Sequence, residues 1–256
     1  MQPSYPDLRG RTALVTGASS GIGLGIAEAL LAQGMRVGVH YRSGRAAAET
    51  LCAQHPGAAF ALEAELGTEA GCVELARTAR EALGGVNLLV HSAGIWNAGP
   101  IATLGAASLE EMFRVNTFSA FYLVRELLPA LRPRGSVIFI GSTAGQRGEA
   151  GHSHYAASKG ALQSLVMSLT VELGPEVRVN LVSPGWIRTP MAESALERIG
   201  PVLLPTLPNR RVGEVSDVAN AVLFLASDAS GHLLGQDLCV SGGALHVVPR
   251  GQLRNA

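Results

Sequence analysis

The sequence predicts one α/β domain: a doubly wound parallel sheet with helices on both faces. Three observations predict it. Short apolar runs alternate with longer segments of helical periodicity about six times along the chain. The short runs are apolar at nearly every position, as strands covered on both faces are. No linker or repeat interrupts the alternation. A chain of 256 residues is an ordinary length for one domain, here 1–256 with a core over about 10–243.

The elements follow in order. Residues 12–16 form an apolar run ending at Gly17. Ile22, Ile26, Leu30 and Leu31 then recur at helical spacing, and Gly34 ends that helix. Residues 37–40 read as a strand, 45–54 as a helix and 58–62 as a strand. Thr68 suits the N-cap of a helix running to Leu83, and 88–90 is the next strand. One long helix carries Leu109, Met112, Phe113, Leu123, Val124, Leu127 and Leu128. After a strand at 137–140, a helix over 155–173 aligns Leu162, Leu165, Val166, Leu169 and Leu173 until Gly174 and Pro175 stop it. Residues 177–182 form a strand, Ser216 caps a helix through Ala226, and 238–240 is the last strand. Residues 189–215 show no clear pattern, and an irregular segment of that length reads as a mobile lid.

Composition excludes several functions. Twenty basic residues balance twenty acidic ones, and only 16% of residues are charged. A neutral, charge-poor chain lacks the footprint of a nucleic-acid or anionic-membrane binder. No apolar run reaches the roughly 18 residues of a membrane helix. The first ten residues hold Pro3 and Pro6 and no apolar run, so no signal peptide is expected. Cys52, Cys72 and Cys239 are widely spaced and form no metal or redox motif. Reduced thiols in a cytoplasmic protein with no bound metal are therefore expected.

Two constellations carry chemistry. Gly17, Gly21 and Gly23 join the first strand to the first helix. Glycines let the chain turn sharply and let a phosphate approach the backbone, while the helix directs free N–H groups at it. Tyr155 and Lys159, four residues apart, share one helical face. A tyrosine titrates at about 10, too high for easy proton exchange at neutral pH, and a nearby cation lowers that value. Such a phenol suits general acid–base work on a carbonyl or alcohol oxygen. Ser142 follows the strand ending at Ile140, at the sheet edge where such folds bind ligands.

Thr16-Gly17-Ala18-Ser19-Ser20-Gly21-Ile22-Gly23, together with Tyr155 and Lys159, resembles the short-chain dehydrogenase/reductase family. Ala93-Gly94, Asn116 in Val-Asn-Thr, Gly141-Ser142, and Pro184-Gly185 followed by Thr189 extend the match from Gly10 to Gly243. The resemblance implies a Rossmann-like fold and hydride transfer between a nicotinamide cofactor and a carbonyl or secondary alcohol. It implies that Tyr155 is the acid/base and that Lys159 lowers its pKa and binds the nicotinamide ribose. Ser142 would orient the substrate oxygen. Asn116 would distort its helix and hold a water that relays protons to the lysine. The implied cofactor contacts are Gly17, Ser19, Ser20, Gly21, Ile22, Gly23, Tyr41, Arg42, Ser43, Glu65, Leu66, Ser92, Ala93, Gly94, Pro184, Gly185, Ile187 and Thr189, besides Tyr155 and Lys159.

In the family an acidic residue at the position of Tyr41 selects NAD. Here Tyr41 is followed by Arg42 and Ser43, and no Asp or Glu lies between Met35 and Ala48. A guanidinium binds a 2′-phosphate that a carboxylate would repel, so NADP(H) is expected over NAD(H). Some positions depart from the pattern. His91-Ser92 stands where Asn-Asn is common, Glu65 where Asp is usual near the adenine, and Ser241 where Asp is common. His152 and His154 read as loop histidines, and Arg210 and Arg211 as structural.

Three rivals are weaker. A nucleotide-sensing scaffold has no use for Ser142, Tyr155 and Lys159 together. Related enoyl reductases place six residues between Tyr and Lys, and position 152, where such a Tyr would sit, is His. Epimerases and dehydratases with the same Tyr–Lys pair are usually longer. An NAD-preferring alcohol dehydrogenase is the remaining alternative. Trp96, Trp186, Met191, Leu196, Ile199, Leu203, Leu204 and Leu207 suggest an apolar, medium-sized substrate. The resemblance also implies a homo-oligomer, a tetramer or a dimer, built on the helices over 109–128 and 155–173. The tail with Leu245, Val247 and Val248 would reach a neighbouring subunit.

Overall fold

The structure, a computed structural model, describes residues 3–131 and 133–245. The strands are β1 (Thr12–Val15), β2 (Arg36–Tyr41), β3 (Ala59–Glu63), β4 (Leu88–His91), β5 (Gly135–Ile140), β6 (Val177–Pro184) and β7 (Asp237–Val240). They form one parallel sheet in the order β3-β2-β1-β4-β5-β6-β7. Side chains alternate across it: Ala13 and Val15 pack on one face and Leu14 on the other. Ile138 and Ile140 divide from Val137 and Phe139 in the same way.

Helices α1 (Gly21–Ala32), α2 (Arg45–Gln54) and α3 (Glu69–Leu83) follow the first three strands. Thr68 caps α3, accepting from Gly71 N, as expected. Next come α4 (Ala106–Phe113), α5 (Ser119–Leu131), α6 (Thr143–Arg147), α7 (Ser153–Leu173), α8 (Glu193–Leu203) and α9 (Val215–Ala226). Core residues of α1 and α9 cover one face of the sheet, and those of α3, α5 and α7 cover the other. The chain forms a single domain. Among the described residues no helix is long and apolar enough to cross a membrane.

Three elements differ from the sequence reading. The long helix is two, α4 and α5, joined by a π turn over Arg114–Phe118, which is the distortion at Asn116 that the family resemblance implied. The N-cap of α9 is Glu214, not Ser216, because Asp217 Oδ2 accepts from Glu214 N at 2.8 Å and completes a capping box. The segment 189–215 is not patternless, since it contains α8 and a 3₁₀ turn at Leu204–Thr206. Val247 and Val248 of the tail lie outside the described residues.

The topology fixes where a ligand can bind. β1 lies between β2 and β4, so successive connections leave it toward opposite faces. A crevice opens at that switch point, beyond the carboxyl ends of the strands.

Candidate active site

The crevice holds a cleft of about 390 Å³. Its floor is the turn from β1 to α1. Gly17 takes φ +66°, and a Cβ there would meet Ala93 Cα at 2.9 Å. A Cβ on Gly23 would lie 2.3 Å from Gly17 O, so only glycine permits this turn. Thr16 Oγ1 accepts from Ser92 N and Ala93 N, both at 3.0 Å, and ties the turn to the end of β4. Ser20, the N-cap of α1, makes no side-chain cap bond. The first N–H groups of α1 lack intrahelical acceptors and face the cleft, which is the donor set a diphosphate requires.

One rim is formed by the turn after β2. A Cβ on Gly44 would lie 2.4 Å from Ser19 Oγ, so that turn packs directly on the glycine loop. Arg42 and Ser43 line the cleft there. Arg42 is half exposed, with Glu65 Oε2 at 4.0 Å from its Nη1. Arg45 is engaged elsewhere. It pairs with Glu63 and Glu49 and lies over the Tyr41 ring at 5.6 Å. Tyr41 itself is buried, and its hydroxyl donates to Glu63 Oε2 at 3.2 Å.

The other end of the cleft carries the reactive groups. Ser142 caps α6, accepting from Ala144 N at 3.1 Å, and its hydroxyl also shares a hydrogen bond with the Tyr155 phenol. Burial pushes the Tyr155 phenol up to about 12, and the bond to Ser142 opposes the rise. Lys159 is buried, and its Nζ donates to Ile140 O at 2.9 Å. Burial alone pushes this ammonium down to about 8. The tyrosine value is thus raised by its surroundings, contrary to the lowering expected from the lysine. Within the chain the desolvation of Tyr155 outweighs any attraction to Lys159.

Residues 17–245 match the family profile described as enoyl-(acyl carrier protein) reductase. L-xylulose reductase of Bos taurus is 36% identical over 249 residues, 93% of this chain and 98% of that protein. The chain belongs to the short-chain dehydrogenase/reductase family. Among solved structures, a short-chain dehydrogenase/reductase (glucose/ribitol dehydrogenase) of Brucella melitensis superposes with a TM-score of 0.92 at 32% identity, over 96% of this chain and 100% of that one. A blue fluorescent protein from a metagenomic library, solved in complex with NADPH, gives a TM-score of 0.88 at 34% identity, over 93% and 99%. This member is therefore an NAD(P)-dependent oxidoreductase that acts on a carbonyl or an alcohol.

The cleft gathers every cofactor residue expected from the sequence except Tyr41, whose side chain is packed behind the rim. The register of β2 and β3 explains this, since Tyr41 is paired directly with Glu63. Glu63 and Glu65 also bring negative charge to a turn that shows none in its own sequence. Glu65 Oε1 is occupied in part by Gly67 N at 2.7 Å. Ser142, Tyr155 and Lys159 line the cleft, while Asn116 is fully buried behind it. Asn116 Oδ1 accepts from Ile95 N at 2.8 Å, and its Nδ2 donates to Ile95 O and Ser158 Oγ, both at 3.0 Å. Of the residues expected to shape the substrate end, Trp96, Trp186 and Met191 line the cleft. Leu196, Ile199, Leu203, Leu204 and Leu207 do not. Arg147 and Glu149 do, so that end is less uniformly apolar than expected.

Sequence reasoning missed His40. Its Nδ1 accepts from Gly17 N at 3.0 Å, and its Nε2 faces Ala64 O at 3.2 Å. Burial pushes it down to about 4, so it stays neutral with Nε2–H donating. A histidine inside an otherwise apolar strand was the available signal. His154 is no loop residue: it is buried in the first turn of α7 and bonds Asn97 Oδ1 at 3.0 Å. Arg211 pairs with Asp217 through both terminal nitrogens, and Arg210 Nη1 donates to Pro205 O at 2.6 Å, so both are structural as read.

Proposed function

We propose that this protein is an NADP(H)-dependent ketoreductase acting on an apolar, medium-sized carbonyl compound. One observation carries the reading: the Ser142 hydroxyl, the Tyr155 phenol and the Lys159 ammonium share one cleft with a glycine turn shaped for a diphosphate. The fit to a nicotinamide cofactor rests on that turn. It also rests on Gly94, where a Cβ would come within 3.2 Å of both Asn116 Oδ1 and Lys159 Nζ. A dinucleotide would lie with its diphosphate on the α1 N-terminus, its adenosine end at Arg42 and its ribose at Lys159. When bound, it supplies the hydride.

The chain supplies the rest. Ser142 and Tyr155 hold the substrate oxygen, and Tyr155, protonated at neutral pH, gives its proton to that oxygen as charge develops there. Lys159 keeps a positive charge on the same helical face below about pH 8 and stabilises the phenolate left once that proton has gone. Asn116 is a positioning residue in this scheme and would hold the water that relays protons to Lys159. The three-residue gap between Tyr155 and Lys159 favours carbonyl reduction over the enoyl reduction named in the family profile. His152, at the position of the enoyl tyrosine, stacks on Trp96.

The NADP(H) preference rests on Arg42, Ser43 and Ser19. Because Arg42 is half exposed and Glu65 competes for it, the preference is about tenfold, the low end for a charge-assisted bond. Dissociation constants for NADPH and NADH test it in wild type and Arg42→Ala. Tighter NADH binding in wild type overturns the preference. Turnover of a ketone panel, followed by NADPH absorbance, tests the reaction. A homo-oligomer is part of the same reading: Phe118 and Phe121, and Met167 and Val171 on α7, are exposed apolar side chains that a two-fold interface would cover. Sedimentation as a monomer at micromolar concentration would refute it.

A further inference from the structure

We infer that the substrate end of the cleft is built for a flat, fused-ring aromatic ketone seated in a right-angled corner of two indoles. The inference rests on the ketoreductase reading and names its substrate class. The chain has two tryptophans, and both are at this corner. The rings of Trp96 and Trp186 meet edge to face, with centroids 6.1 Å apart and planes at 89°. His152 stacks on Trp96 at 4.8 Å and 9° and fixes the plane of that indole. Glu149 Oε1 lies 3.6 Å from His152 Nδ1 and holds the imidazole in turn. Both indoles line the cleft that Ser142 and Tyr155 line.

The corner is preformed. Trp96 lies between residues whose backbone or side chain is pinned. Asn116 bonds both the N–H and the C=O of Ile95. Asn97 Oδ1 bonds His154 Nε2, and Gly99 N donates to Gly151 O at 2.8 Å. Gly99 also packs so closely on His154 that a Cβ there would come within 2.6 Å of its ring. Trp186 is pinned by its own carbonyl, which accepts from Gly213 N at 2.9 Å, and by Arg188 N donating to Gly213 O at 2.8 Å. Rigid rings at a right angle can stack on one face of a planar ligand and meet its edge at the same time. A flexible chain placed there gains no such geometry and gives up rotor freedom on ordering.

Three ketones with the same number of carbons isolate planarity and aromaticity: 2-tetralone, 2-decalone and 2-decanone. With purified full-length protein and NADPH, kcat/KM is expected to fall in that order, with 2-tetralone ahead of 2-decanone by about tenfold or more, as aromatic contacts of this kind imply. Trp96→Ala and Trp186→Ala should each lower kcat/KM for 2-tetralone by about threefold to tenfold through KM, while 2-decanone changes less than twofold. The Phe variants should keep most of the wild-type value. Equal or better turnover of 2-decanone, or equal losses for all three ketones in the Ala variants, overturns the inference and leaves the ketoreductase reading standing. Turnover of none of the three, with NADPH binding intact, overturns that reading and the inference with it.

Discussion

Acid should destabilise this protein well above the carboxylate range, because two histidines are buried neutral beside the cofactor turn. His40 is pushed down to about 4 and His91 to about 3, both chiefly by burial, and His91 also by the charges of Lys159 and His40. His91 is fully buried, with Nε2 bonded to Ser119 Oγ at 2.7 Å and Nδ1 without a partner. In the unfolded chain both titrate at about 6.5. Below that value the unfolded state binds protons that the folded state refuses. Stability is therefore complete above about pH 6.5 and is lost as pH falls toward the folded values. Two such groups give a slope that approaches, and cannot exceed, about 2.7 kcal/mol per pH unit near pH 5, before most carboxylates begin to titrate. Typical domains have about 5–15 kcal/mol in all, so unfolding near pH 4 is expected. Urea denaturation at pH 7.0, 6.0 and 5.0 measures the loss. His91→Asn should remove about half of the slope. A flat stability from pH 7 to 5, or an unchanged slope in His91→Asn, would refute the reasoning. Cofactor binding should weaken only as pH approaches about 4, where protonated His40 loses the Nδ1 lone pair that holds Gly17 N.

Other predictions concern the site directly. Tyr155→Phe should lower turnover by several orders of magnitude while leaving NADPH affinity within about twofold, because only the proton donor is removed. Steady-state kinetics and a binding titration check both. Lys159→Met should abolish activity yet raise stability at pH 7. Holding an ammonium whose value is displaced from 10.5 to about 8 costs about 3 kcal/mol, against about 1 for the lost bond to Ile140 O. A variant less stable than wild type in urea would contradict that balance. Gly23→Ala should prevent cofactor binding, because its Cβ would overlap Gly17 O at 2.3 Å. Calorimetric titration with NADPH shows whether binding survives.

The sheet, the glycine turn and the Tyr155–Lys159 pair were legible because each is local. Strands covered on both faces are apolar in any context, and a four-residue helical spacing needs no knowledge of the rest of the chain. The misread features depend on distant partners. The π turn, implied by the resemblance but invisible to periodicity, lies where Asn116 reaches across to Ile95 in the loop after β4, a contact no window around Asn116 contains. Ser216 is the better intrinsic cap, but the bridge between Ile187 and Gly213 fixes where the chain enters α9, and Glu214 takes that place. Helix α8 carries Gly200 and Pro201 inside it, both poor helix formers, which hid its periodicity. The rim of the cleft was misjudged for the same reason: Glu63 and Glu65 reach Arg45 and Arg42 only through the pairing of β2 with β3.

Those distant contacts also explain how the acid is placed. Ser158 accepts from Asn116 Nδ2, donates to Tyr155 O at 2.7 Å, and offers its own carbonyl to Thr117 Oγ1 at 3.0 Å. The first turns of α7 are thereby tied to the π turn. Ser119 Oγ holds the other end of that turn by donating to Val115 O at 2.6 Å, and His91 at the end of β4 bonds the same hydroxyl. Lys159 closes the circuit by donating to Ile140 O at the end of β5. Tyr155 is thus referenced to the ends of two central strands through a chain of side-chain hydrogen bonds. A group that must meet a carbonyl oxygen within a few tenths of an ångström needs such support, since misplacement of about 1 Å can cost a hundredfold in rate. The irregular helix and the buried polar residues around Asn116 and His91 are what the fold requires to carry the precision of the sheet to the Tyr155 hydroxyl.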